Sequence, residues 1–172
     1  MVNAILSLII FVVLNFIAAI SGAYFKPGDW YERLDKPVWR PPNWLFPPAW
    51  TLLYMTIAVA GWLVYRTAGL EGAGLTALIV YVVHLGFNAA WSAVFFGLKR
   101  LGWAFVEVLG LWLSIVATIG VFYPINAVAA YLLIPYLGWV SFAAVLNFSI
   151  WRRNRSGAPA GASGMDTPQT MP

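Results

Sequence analysis

Cysteine is absent from the chain, which excludes disulfides, thiolate metal sites and cysteine nucleophiles while leaving the compartment open. Histidine occurs once, at His84, so no His-Glu-x-x-His metal motif exists. There is also no Gly-rich phosphate loop, no nucleophile elbow and no paired carboxylates within an apolar run, which argues against a hydrolase or a nucleotide-driven pump. Charge is equally scarce. Only 9% of residues are Asp, Glu, Lys or Arg, against roughly 25% in an ordinary soluble domain.

Apolar residues take the place of charge: 62% of the chain is hydrophobic and the mean hydropathy is +0.79. Lipid is the solvent this composition expects, and 172 residues make one domain with no soluble module to spare. The formal net charge of +4 does not point to nucleic acid, because the basic residues cluster just outside apolar runs, where membrane topology accounts for them.

Five runs are long enough to cross a hydrocarbon core of about 30 Å: residues 4–23, 49–65, 75–98, 103–122 and 127–151. The fold class is therefore an all-α, polytopic five-helix bundle. The first run ends in the small residues Ala18 to Ala23, which a peptidase would accept, but without a basic n-region it is read as a retained helix. Lys26, Arg33, Lys36 and Arg40 precede the second run, Lys99 and Arg100 follow the third, and Arg152, Arg153 and Arg155 follow the fifth; Arg66 stands alone on the other side. The positive-inside rule then puts the N-terminus outside and the C-terminus in the cytoplasm, favouring a bacterial inner membrane and leaving the outer membrane as the alternative. Residues 152–172 read as a basic, then disordered tail rich in small residues and proline.

The loop 24–48 is dense in tryptophan and proline. Its prolines exclude regular helix and its aromatics seek partial burial, so it is expected to fold back as a lid over one end of the bundle. An interfacial aromatic belt explains any single tryptophan equally well. It explains less well the set formed by Trp91, Trp112 and Trp139 inside spans, with Trp50 and Tyr54 one turn apart. Mid-span aromatics of this kind can wall a flat apolar pocket.

Polar groups within spans should face the bundle interior, since an unsatisfied one in hydrocarbon costs several kcal/mol, on the order of a lost hydrogen bond or more. His84, Asn88, Glu107 and Asn147 are the candidates. Asn88, Trp91 and Ser92 share one face of the third span. For His84 an inter-helix hydrogen bond is preferred to haem ligation; for Glu107, too far in sequence from Lys99 and Arg100 for a helical pair, protonation or a bond to another span are both open. Ala89, Ala93 and Gly97 form a small-xxx-small stripe suited to close helix approach, within the bundle or in a dimer.

The chain resembles the translocator protein family, also called TspO or the peripheral-type benzodiazepine receptor. The residues that carry the resemblance are Trp30-Tyr31, Lys36-Pro37-x-Trp39-x-Pro41-Pro42, Trp50-x-x-x-Tyr54, Asn88-x-x-Trp91-Ser92 and Pro135-Tyr136-x-x-Trp139-x-x-Phe142-Ala143-x-x-x-Asn147, spread over everything before the tail. The resemblance implies a bacterial member with a five-helix bundle, usually dimeric, whose first loop covers a pocket for porphyrins, haem and benzodiazepine- or isoquinoline-type ligands, with no cofactor required. Trp39, Pro41, Trp50, Tyr54, Asn88, Trp91, Ser92, Trp139 and Ala143 would line it. Trp50 and Trp139 match tryptophans implicated in light-dependent porphyrin breakdown. The family's cholesterol motif is incomplete here, because Phe148 stands where a tyrosine would be. The expected function is a tetrapyrrole receptor or carrier; the alternatives are a light-dependent porphyrin-degrading enzyme and a haem- or stress-sensing signalling partner.

Overall fold

The computed structural model describes residues 3–25 and 28–155, so Lys26 and most of the expected tail, 156–172, lie outside the described residues. Described residues form helices α1 (Ala4–Tyr24), α2 (Asp29–Glu32), α3 (Phe46–Ala68), α4 (Gly72–Ser92), α5 (Leu101–Phe122), α6 (Ala127–Leu132) and α7 (Ile134–Asn154). A 3₁₀ turn, Asn43–Leu45, leads into α3, and a π-helical turn, Ala93–Gly97, extends α4. Five stretches are long and apolar enough to cross a membrane: Ala4–Tyr24, Asn43–Ala68, Gly72–Gly97, Leu101–Phe122 and Ala127–Asn154. The protein is a multi-pass integral membrane protein.

Proline sets two of the boundaries. Pro47 and Pro48 sit in the first turn of α3, where their missing N–H groups cost nothing, so the second span starts earlier than a reading from Ala49 suggests. Pro135 occupies the first turn of α7, and the fifth span is accordingly two helices divided at Leu133 rather than one rod.

The helices close a ring in which α1 packs on α3 and α4, α4 on α5, α5 on α7, and α6 on α3. Outward faces are as apolar as the core: Ile5, Ile9, Val13 and Ile20 of α1 and Leu109 and Leu113 of α5 are exposed, as lipid contact requires. Hydrophobicity alone therefore cannot orient these helices, and small residues and polar bonds do so. At Gly61 an added Cβ would stand 2.7 Å from Tyr81 Cζ and 2.9 Å from Phe11 Cδ1, so only glycine allows α3 this close. Tyr81 is itself pinned, accepting from Asn15 Nδ2 and donating to Ile57 O at 3.3 Å. Indole N–H groups bridge spans too, Trp62 to Ser7 Oγ at 3.0 Å and Trp112 to Ser141 Oγ at 2.8 Å.

Residues 28–48 of the loop fold back over the basic end of the bundle. One turn of helix, α2, forms between Pro27 and Pro37, which corrects the expectation that the loop's prolines exclude helix throughout. Tyr31 is buried against Phe95 and Phe96, with ring centroids 6.2 and 5.5 Å away. Lys36 Nζ donates to the Tyr31 and Glu32 carbonyls and lies 4.7 Å from the Tyr31 ring centroid. Burial lowers the Lys36 pKa, and burial raises that of Tyr31 against the opposing pull of Arg40. Two bonds clasp the lid to the end of α7: Asp35 N–H donates to Asn154 Oδ1 at 3.0 Å and Asn154 Nδ2 donates to Asp35 O at 2.9 Å. The nearby Arg153–Asp35 pair at 3.4 Å is exposed and adds little.

The small-residue stripe makes contacts inside the chain. Ala89 packs on the main core, and a Cβ on Gly97 would meet Phe25 at 2.8 Å, while Ala93 opens the π-helical turn. Two of the three positions thus make contacts within the bundle itself.

Candidate functional site

A cavity of about 710 Å³ lies under the lid, bounded by all five spans, within the range usual for small-molecule sites. Helical spacing builds its walls. On α3, Trp50 and Tyr54 are one turn apart and stack at 5.5 Å, tilted by 32°. On α4, Asn88, Trp91 and Ser92 share a face; on α7, Trp139, Ala143, Asn147 and Ile150 do. The π-helical turn then widens the helix, so that Phe95 and Phe96, adjacent in sequence, both line the cavity.

Of the nine expected site residues, seven come together: Trp50, Tyr54, Asn88, Trp91, Ser92, Trp139 and Ala143 all line this cavity. Trp39 and Pro41 do not. Trp39 is 47% exposed, with its ring edge-on to Phe142 at 5.8 Å. Phe142 in turn lies 6.0 Å from Trp139, so Trp39 forms an outer aromatic layer behind the wall. Its place inside the wall is taken by Phe46, whose ring is 5.8 Å from Trp139 and which the sequence did not single out.

Asn88 already holds one hydrogen bond at each end of its amide. Its Oδ1 accepts from the Tyr54 hydroxyl and its Nδ2 donates to the Tyr136 hydroxyl at 2.7 Å, joining α3, α4 and α7 through one amide. The bonds set the tilt of Tyr54 and hence the plane against which Trp50 rests. Asn88 is in that sense the keystone of the wall.

His84 and Glu107 stay outside the cavity lining. His84 Nδ1 bonds the Tyr81 carbonyl at 2.9 Å within its own helix, not across helices as expected, and its Nε2 has no partner among the described residues. Both Glu107 carboxyl oxygens are covered without a partner among the described residues, so of the two readings left open for it the bond to another span is not seen there. Asn15, buried in mid α1, carries an inter-helix bond that sequence reading missed, although a lone amide in an otherwise apolar run was the available signal.

A family profile described as TspO/MBR family matches residues 9–152. The chain is 44% identical over 136 residues to a tryptophan-rich sensory protein of Cereibacter sphaeroides, covering 79% of this chain and 84% of that one. It is 39% identical over 142 residues to Protein CrtK of Rhodobacter capsulatus, covering 83% and 89%. With the translocator protein of Homo sapiens it shares 36% identity over 137 residues, covering 77% and 81%.

Proposed function

This chain belongs to the TspO/MBR family, and on that footing we propose that it binds a planar tetrapyrrole, porphyrin or haem, in the cavity under its lid and so regulates tetrapyrrole level or an oxidative-stress response. The observation that carries this is the pairing of Trp50 and Trp139 in one apolar chamber of about 710 Å³. A macrocycle laid against indole faces loses apolar surface to ring contacts worth about 0.5–1.5 kcal/mol each beyond simple burial. Lys36 and Arg40 lie in the loop above the cavity and outside its described lining, so they would meet only propionates that reach beyond the chamber. His84 lies outside the lining, so recognition would rest on the macrocycle's faces and not on iron ligation by that imidazole. Benzodiazepine- and isoquinoline-type ligands would use the same aromatic walls.

Relatives named as sensory and translocator proteins make signalling and carriage the roles to test. We favour binding coupled to either, in a homodimer of the inner membrane with the basic, lid-bearing end in the cytoplasm. A second reading, light-dependent porphyrin degradation, is favoured by one fact: both oxidisable indoles, Trp50 and Trp139, border the cavity.

The test is titration of purified protein with protoporphyrin IX in the dark, following tryptophan fluorescence, for wild type and for Trp50→Phe and Trp139→Phe. Saturable, stoichiometric quenching weakened by either substitution is expected. Quenching indifferent to both would overturn the proposal. Illumination of the complex then separates the readings, since multiple turnovers of porphyrin loss mean degradation and intact porphyrin means binding alone.

A further inference from the structure

The last turns of α7 carry three arginines, and the bundle gives them different surroundings. Arg153 lies 3.4 Å from Asp35 of the lid, whereas Arg152 and Arg155 form no ion pair among the described residues. Arg152 and Arg155 share one stripe of the helix with Phe148 and Trp151, at helical spacings. These four side chains line a second pocket of about 280 Å³, which has no lining residue in common with the cavity under the lid. Its wall continues onto a neighbouring helix. The Phe105 ring of α5 lies 5.1 Å from that of Phe148 and stacks on Trp151 at 5.9 Å, with 21° between the planes. Gly102 lets α5 come this close, since an added Cβ there would stand 3.1 Å from Trp151 Nε1.

The pocket offers two chemistries at two depths. Phe148 is 40% exposed on an outward flank of the bundle, and it sits about 6 Å, four residues of helix rise, deeper in the span than Arg152. The guanidinium groups stand at the end of the helix, with Arg155 Cζ 5.8 Å from the Trp151 ring centroid, an approach that holds the charge over the indole. The described lining contains no acidic residue, and none lies in the first turn of α5, which follows directly on Lys99 and Arg100.

We propose that this groove binds one anionic phospholipid, its phosphate between Arg152 and Arg155 and its glycerol and upper acyl chain along Trp151, Phe148 and Phe105. Guanidinium forks match phosphate oxygens in pairs and are less strongly hydrated than an ammonium, which suits them to an anion at the edge of a membrane. Two cations with no acid beside them favour a headgroup of net negative charge, because the ammonium of a zwitterionic headgroup finds no carboxylate here and is repelled. A sterol brings one hydroxyl and no charge, so it leaves both guanidiniums unmatched, and this is the stretch whose sterol pattern is broken at Phe148. Free phosphate answers the arginines but leaves the aromatic wall empty. The site is separate from the cavity under the lid and does not depend on what that cavity binds.

Native mass spectrometry of the full-length protein, released from detergent micelles and titrated with dioleoylphosphatidylglycerol or dioleoylphosphatidylcholine, reads the site directly. Wild type is expected to hold one phosphatidylglycerol about tenfold more tightly than phosphatidylcholine, as one hydrogen bond to a charged group provides. Arg152→Gln and Arg155→Gln each narrow that preference, and the double variant removes it. Both side chains are exposed, so these variants keep the wild-type unfolding midpoint. Arg153→Gln removes the same charge from the same turn but outside the pocket, and it leaves the preference within about twofold. Equal binding of the two lipids, or a loss in Arg153→Gln as large as in either single pocket variant, would show a diffuse basic surface and overturn the site. Displacement of phosphatidylglycerol by millimolar inorganic phosphate would give the groove to the free anion, and displacement by equimolar cholesterol would give it to a sterol; either result overturns the proposal.

Discussion

Removing Asn88 is the perturbation that most directly tests how the cavity wall is held. Asn88→Ala takes away the acceptor for Tyr54 and the donor for Tyr136 at once. Tyr136 is fully buried, so its hydroxyl loses its only described partner with no water to replace it. Two neutral hydrogen bonds at about 1 kcal/mol each, plus a stranded phenol at about 1–3 kcal/mol, give an expected loss of about 3–5 kcal/mol. The pairwise share is smaller, because polar groups within a membrane find other partners in the less folded state, and cycles there average about 0.6 kcal/mol. A double-mutant cycle with Tyr136→Phe, read by reversible unfolding in mixed micelles, should therefore return a coupling of about 0.6–1.5 kcal/mol. Coupling near zero, or a single mutant as stable as wild type, would show that Asn88 does not brace the two tyrosines. A second readout separates brace from ligand contact: in the braced wall, Tyr54→Phe reproduces most of the effect of Asn88→Ala on porphyrin affinity.

The remaining predictions concern the core and the lid. Gly61→Ala pushes a methyl against Tyr81, which is held at its hydroxyl, and should cost about 1–3 kcal/mol in the same unfolding assay; an unchanged midpoint would mean that α3 can shift away. Asn154→Ala deletes both bonds from α7 to the Asp35 backbone, and porphyrin should leave about tenfold faster in stopped-flow displacement, whereas Arg153→Ala, which breaks only an exposed pair, should leave the off-rate within about twofold. Burial of Tyr31 favours its neutral phenol, so lid docking is fully supported below the ordinary phenol pKa of about 10 and is lost as pH rises through the higher docked value. Tyr31→Phe should abolish that alkaline rise in ligand off-rate, and a rise that persists in the variant would place the titration elsewhere.

What the sequence determined by itself is the solvent and the number of crossings. Runs of about 20 apolar residues have one stable solution in a bilayer, because backbone groups must bond within the segment, and composition shows such runs without any knowledge of packing. Motif spacing went further, since residues three and four apart on a helix share a face whatever surrounds them, so Trp50 with Tyr54, and Asn88 with Trp91 and Ser92, were legible as wall elements. The tertiary structure decided everything that depends on which atoms meet. Trp39 lies close to the site in sequence but is screened from it by Phe142, while Phe46 takes the inner position because the second helix begins before its prolines. Of the stripe Ala89, Ala93 and Gly97, which suits close approach within the bundle or in a dimer, Gly97 is seen to face Phe25 of the same chain. Asn88 and Asn147 are both asparagines of the cavity lining, yet one amide bonds two tyrosines and the other has no partner among the described residues. Hydrogen bonds between spans depend on positions set by the whole bundle, and in a chain apolar on every face no periodicity records them.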